Sequence, residues 1–289
     1  MLYLERFSFP GEDEDFSIRH GDYRAKMTCY DSMYPFGVLS RCHLGEVEFS
    51  PITIFYGGNG SGKTTALNVI AEKLMLDRDT LFNRSEFFDD YLKYCHYDAC
   101  APIPSASRII TSDDVFDYML NIRMINNGLE TRREELFADY WRDRKTPSKV
   151  QSLDDYDNLR KINLARRKTP SQYIRSRMMD TVREQSNGES AGFYFISRIR
   201  DDALYLLDEP ENSLSPARQQ ELVEYIENQA RFFHCQFVIA THSPFLLALK
   251  DAKIYDLDSD PACVRRWTEL PTVRAYYDFF MKHRTRFDG

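Results

Sequence analysis

Short apolar runs punctuate the chain, and most are followed by a polar or glycine-rich break and then by apolar residues at helical spacing. Ile52 to Tyr56, Ala203 to Leu207 and Gln236 to Ala240 are near-continuous apolar runs, as parallel strands covered on both faces require, and Lys253 to Leu257 reads as one more strand. After the first, Leu67, Ile70, Ala71 and Leu74 recur on one helical face. Ser215-Pro216 and Ser243-Pro244 each pair an N-cap residue with proline at the first helical position, and Leu222, Val223 and Ile226 follow the first of them. Strand, helix, strand, helix predicts an α/β fold around a mostly parallel core sheet.

The first 50 residues carry strand-like alternation around Phe36 to Leu39 and run directly into Ile52, which predicts an antiparallel layer beside the core. From about 77 to 180 the sequence turns mostly helical and charged. Within it Arg108 to Thr111 reads as one more core strand, and Val115 to Tyr140 as a long helical stretch interrupted near Asn126-Asn127-Gly128. No repeat, low-complexity tract or Gly/Ser linker is visible, so residues 1–289 are expected to form a single domain with a helical insertion at about 77–180.

Composition narrows the function classes. With 38 basic and 45 acidic residues the net charge is -7, which excludes a global field for nucleic acid or anionic lipid. The exception is local: Arg160 to Arg177 holds seven basic residues and no acidic one, a candidate DNA contact or else a solvated helical face. No apolar stretch approaches the roughly 20 residues of a membrane span, and the start lacks a secretory layout, so a cytoplasmic location is expected. The six cysteines show no C-x-x-C pairing and read as free thiols; Cys95-His96 with Cys100 lacks the second half of a zinc site.

The chemistry starts at Gly57-Gly58-Asn59-Gly60-Ser61-Gly62-Lys63-Thr64-Thr65. Gly57, four residues, then Gly62-Lys63-Thr64 fits the P-loop pattern, in its required setting of strand, glycine loop and helix. Backbone N–H groups of such a loop cradle phosphates, Lys63 adds charge at the β and γ phosphates, and the Thr64 hydroxyl holds Mg²⁺. A nucleoside triphosphate with Mg²⁺ is therefore expected here. Asp208-Glu209 ends an apolar strand: Asp208 suits the second Mg²⁺ ligand and Glu209 the general base for water. His242, at the end of the next strand, is placed to reach the γ phosphate. Ser186-Asn187-Gly188-Glu189-Ser190 has the form of a helix N-terminus suited to an anion, a second such site that would serve a nucleotide on another subunit. Tyr30, Tyr34 and Phe36 are candidates for stacking on adenine, or equally for core aromatics.

Taken together, Gly-Gly-Asn-Gly-Ser-Gly-Lys-Thr-Thr, Ser-Asn-Gly-Glu-Ser, Leu-Leu-Asp-Glu-Pro-Glu-Asn-Ser-Leu-Ser-Pro and Ala-Thr-His-Ser-Pro-Phe resemble the ATP-binding-cassette (ABC) ATPase superfamily. The wording Asp-Glu-Pro-Glu-Asn-Ser-Leu and Thr-His-Ser-Pro is similar to its RecF/SMC-like and OLD-like branch, including small stand-alone bacterial AAA-type ATPases. The resemblance implies a P-loop NTPase of ABC type that hydrolyses ATP as a head-to-tail homodimer. Each ATP would lie between one subunit's P-loop and the other's Ser186, Gly188 and Glu189, with Glu211 to Ser215 crossing the interface. Two departures stand out: Asn187 replaces a small signature residue, and Ser112-Asp113-Asp114 occupies the place of the Q-loop glutamine, with Asp113 or Ser112 as the expected contact to Mg²⁺ or the attacking water. About 120 residues separate P-loop and signature, too few for long coiled-coil arms, and fewer than about 50 follow His242, too few for a nuclease domain. The expected role is a switch in DNA metabolism or anti-phage defence with a separate effector protein; the alternative is the nucleotide-binding subunit of an ABC transporter.

Overall fold

The computed structural model describes residues 1–21, 33–145, 169–175, 187–212 and 214–287. Its elements are β1 (Leu4–Ser8), α1 (Glu12–Gly21), β2 (Glu46–Glu48), β3 (Ile52–Tyr56), α2 (Lys63–Lys73), α3 (Phe88–Tyr94), β4 (His96–Ala99), β5 (Arg108–Thr111), α4 (Ser112–Lys145), α5 (Pro170–Arg175), α6 (Asn187–Arg198), β6 (Leu204–Asp208), α7 (Pro216–Phe232), β7 (Gln236–Thr241), α8 (Pro244–Leu247), β8 (Lys253–Asp256), β9 (Cys263–Arg265) and α9 (Pro271–Lys282). The chain divides into two compact units, Met1–Val115 with Asn187–Gly289, and Phe116–Ser186.

The first unit is built on a six-stranded sheet in the order β5-β6-β7-β3-β8-β9. β5 through β8 pair in parallel and only β9 is antiparallel. Every residue of β3, β6 and β7 is buried, which is why these strands read as continuous apolar runs rather than alternating ones. The expected antiparallel layer is the three-stranded sheet β2-β1-β4. Gln236, fully buried at the start of β7, ties the two sheets: its Oε1 accepts the Tyr3 and Leu4 N–H groups and its Nε2 donates to the Leu4 carbonyl. Nε2 donates also to the Ser50 carbonyl at 3.4 Å, and these bonds offset the cost of burying the amide in the core.

Register sets the site. Thr111 pairs with Asp208, Asp208 with Ala240, and Tyr56 with both Thr241 and Asp256. The strands' C-terminal ends thus align along one edge, where ligands of open α/β sheets bind.

One expectation is corrected. α4 runs without a break from Ser112 to Lys145, through Asn126-Asn127-Gly128. A glycine inside a helix costs only about 1 kcal/mol, which one position in a long helix can absorb. The insertion expected over about 77–180 compares with a second unit at Phe116–Ser186, because residues 77–111 contribute α3, β4 and β5 to the first unit. That second unit has its own small cluster of Leu136, Phe137, Tyr140 and Ile174.

Candidate phosphate-binding site

β3 ends at Tyr56 and the glycine loop curls back to start α2 at Lys63. Gly62 has φ +97°, a left-handed conformation that strains any residue bearing a Cβ, and an added Cβ would meet the Leu39 side chain at 2.9 Å. At Gly57 a Cβ would lie 2.4 Å from the Ser61 hydroxyl. The loop is thus closed tightly on itself. Lys63 is buried, and its Nζ donates to the Gly57 and Gly58 carbonyls at 2.8 and 2.9 Å, with Glu209 Oε1 at 3.8 Å.

The carboxylates of the β6 end converge on the loop. The Thr64 hydroxyl donates to Asp208 Oδ1 at 3.0 Å across 144 residues of sequence. Burial pushes the Asp208 carboxyl up to about 7; the charges of Glu209 and Glu211 add to this, while the Thr64 hydroxyl and Lys63 oppose it. Glu209 takes φ +47°, a left-handed conformation costing a non-glycine residue on the order of 1–3 kcal/mol. It is held there by its N–H donating to the Ala240 carbonyl and its own carbonyl accepting the Asn212 N–H. Asn212 also donates through Nδ2 to Glu209 Oε2 at 3.0 Å. His242 follows β7 with Nδ1 4.0 Å from Glu209 Oε1.

A cavity of about 440 Å³ is lined by Asn59, Gly60, Ser61, Gly62, Lys63, Thr64, Thr65 and Glu209 from the expected set, with Val38 and Arg41 added. These residues fit a magnesium-bound triphosphate. The Ser61 hydroxyl is buried without a hydrogen-bond partner, and Thr64 with Asp208 presents the hard oxygen donors that Mg²⁺ prefers. At Gly57 and Gly62 an added Cβ would strike Ser61 or Leu39, so glycine is what lets the loop keep this closed shape. Among the described residues no group of three His, Cys, Asp or Glu forms a further metal cluster.

Sequence reasoning missed Asp258 and Arg41, and it gave Glu211 an interface role rather than the one its hydrogen bonds show. Glu211 is buried: its Oε1 accepts the Thr241 hydroxyl at 2.6 Å and the His242 N–H at 3.0 Å, and lies 3.4 Å from His242 Nδ1. It therefore positions His242, and its signal was a third acidic residue in Asp-Glu-Pro-Glu. Asp258 accepts the Gly58 N–H at 2.8 and 3.0 Å and braces the loop's start. Arg41 reaches the cavity from a short 3-10 turn at Leu39–Cys42; a lone arginine in that apolar stretch was its trace.

Other expected residues fall differently. Gly188 and Glu189 lie in the first turn of α6, while Ser186 lies outside the described residues. The basic run of Arg160 to Arg177 also lies outside them, except for 169–175. Ser112-Asp113-Asp114 forms the first turn of α4, and its buried carboxylate is Asp114, which accepts the Thr111 N–H at 2.6 Å while the Thr111 hydroxyl accepts the Asp114 N–H, a reciprocal cap. Phe36 is core, edge-on to Tyr91, and Tyr34 packs toward Phe88; Tyr30 lies outside the described residues.

Residues 180–248 match the profile of a family described as an AAA domain, of the AbiEii toxin, type IV toxin–antitoxin kind. No curated protein matches the sequence. Solved structures that align include the Smc head domain of Pyrococcus furiosus bound to the C-terminal domain of ScpA, at 11% identity over 83% of this chain and 95% of that one, TM-score 0.41. The Smc head of Thermotoga maritima aligns at 13% identity over 76% and 92%, TM-score 0.34. The ABC protein MJ0796, in a dimeric post-hydrolysis state with ADP and Pi, aligns at 12% identity over 78% and 91%, TM-score 0.35.

Proposed function

We propose that this chain, an ABC-type P-loop ATPase domain, binds ATP with Mg²⁺ at Lys63, Thr64 and Asp208 and hydrolyses it with Glu209 as general base. The observation that carries the reading is the meeting of the Thr64 hydroxyl, the Asp208 carboxylate and Lys63 Nζ beside Glu209 at one sheet edge. Bound Mg²⁺ would neutralise charge on the phosphate oxygens. Backbone N–H groups from Asn59 to Thr65, together with Lys63, would hold the triphosphate. Glu209 would accept a proton from water as its oxygen bonds to the γ phosphorus and the bond to the β-phosphate oxygen breaks, releasing ADP and phosphate. Asn212 leaves Glu209 Oε1 to face that water and Lys63. His242, oriented by Glu211, would donate to the γ phosphate.

The pocket is completed in this proposal by a second copy, whose Ser186, Gly188 and Glu189 close over the phosphates. ATP would thus drive head-to-tail dimerisation, and hydrolysis would reverse it. The toxin–antitoxin description of the family matched over residues 180–248 supports a defence switch rather than a transporter subunit, and the proposal adds a separate effector protein. Among the described residues no helix is long and apolar enough to cross a membrane. Glu209→Gln should bind MgATP, lose turnover by about 10²-fold or more and double in mass with ATP, read by light scattering after size exclusion. A variant that hydrolyses normally removes Glu209 from the mechanism; one that stays monomeric with ATP removes the two-subunit site.

A further inference from the structure

The Asp-Arg network behind the site suggests how the signature-bearing helix is held. Asp79 follows α2 and shares both carboxylate oxygens. Its Oδ1 accepts from Arg108 of β5 at 2.8 Å. Its Oδ2 accepts from the Tyr194 hydroxyl at 2.7 Å and pairs with Arg198 at 2.9 Å. Tyr194 and Arg198 stand four apart on α6, hence on one face, and the Arg198 guanidinium lies 5.1 Å from the Tyr194 ring centroid. Phe195, between them in sequence, is buried, and apolar burial resists separation but does not fix a helix along its axis. Directional, charge-assisted bonds do that.

The segment holding Asp79 is itself tied to the P-loop helix and to the Asp208 edge. Arg78 donates to Asn68 of α2 at 3.1 Å and lies 3.5 Å from Glu72. Asp77 and Ile109 join by a backbone bond of 3.0 Å, and the Thr80 and Thr111 hydroxyls meet at 3.4 Å. Thr111 is the register partner of Asp208. Burial works against the Asp79 charge, but Tyr194, Arg108 and Arg198 outweigh it and hold the carboxyl below its ordinary range.

We propose that Asp79 is a positioning residue that clamps α6 to the nucleotide core, setting where the first turn with Gly188 and Glu189 is presented to the ATP of a second copy. Its functional consequence rests on the two-subunit reading above. The clamp makes presentation of the signature depend on the segment that leaves α2, so the two halves of the composite site within one chain are mechanically joined.

Hydrogen exchange on the full chain tests the clamp without reference to dimers. Asp79→Asn should speed exchange of the amides at 192–198 by about tenfold or more while β6 and β7 keep theirs, and Asp79→Glu should recover most of the protection. In the Glu209→Gln background, Asp79→Asn should need about tenfold more MgATP to double the mass, with binding of a fluorescent ATP analogue by the monomer changed less than about twofold. Unchanged exchange at 192–198, acceleration spread equally over the core, or a parallel loss of analogue affinity would overturn the clamp. If Glu209→Gln alone never doubles in mass, the two-subunit reading fails, while the exchange data still decide the role of Asp79.

Discussion

At the residue scale, Asp208 carries the strongest electrostatic consequence. A buried carboxyl raised to about 7 binds more protons folded than unfolded, so its contribution to stability is fully present below about pH 4 and is lost as pH rises toward 7. Mg²⁺ competes with that proton, and its apparent affinity should therefore weaken about tenfold at about pH 6 relative to its plateau above about pH 8. Titration of Mg²⁺ binding by calorimetry across that range checks it; a flat profile would remove Asp208 from the metal site. Lys63→Ala should abolish binding of a fluorescent ATP analogue at micromolar concentrations, since Nζ is the cation buried at the loop. Undiminished affinity would sink the assignment.

At the scale of elements, the glycine loop and the strands it joins make different demands. Gly62→Ala meets both a left-handed φ and the Leu39 side chain, so it should cost on the order of 1–3 kcal/mol in stability and weaken nucleotide binding. Urea denaturation and analogue binding read the two effects separately. Ile54→Ala, in the fully buried centre of β3, should cost about 2–5 kcal/mol through lost burial and a cavity. Phe279→Ala on α9, where Phe279 is 56% exposed, should change stability by less than about 1 kcal/mol. The strands were legible because burial on both faces imposes apolar continuity on short runs. The unbroken α4 was not, because Asn126 to Gly128 carry only weak local penalties that neighbouring turns outweigh.

For the whole molecule, the distances that matter lie between residues far apart in sequence. Thr64 and Asp208 stand 144 residues apart yet share a 3.0 Å hydrogen bond, because β3 and β6 both flank β7 in a parallel sheet whose ends align. Asp258→Ala should loosen the start of the loop by freeing the Gly58 N–H, weakening analogue binding by about tenfold with little change in global stability. Equal losses in binding and in the urea midpoint would make its role structural only.

The sequence by itself determined the kind of loop, the acidic end of β6 and the parallel order of strand and helix. Those features depend on local spacing: a glycine loop, a buried strand and a helix cap each need particular residues within a few positions. Tertiary structure alone decided that Glu211 orients His242, that Asp258 braces Gly58, and that Asp79 joins α6 to the core. Each is a side-chain bond between segments 31, 200 and 115 residues apart, and no local periodicity records which distant partner a carboxylate will meet.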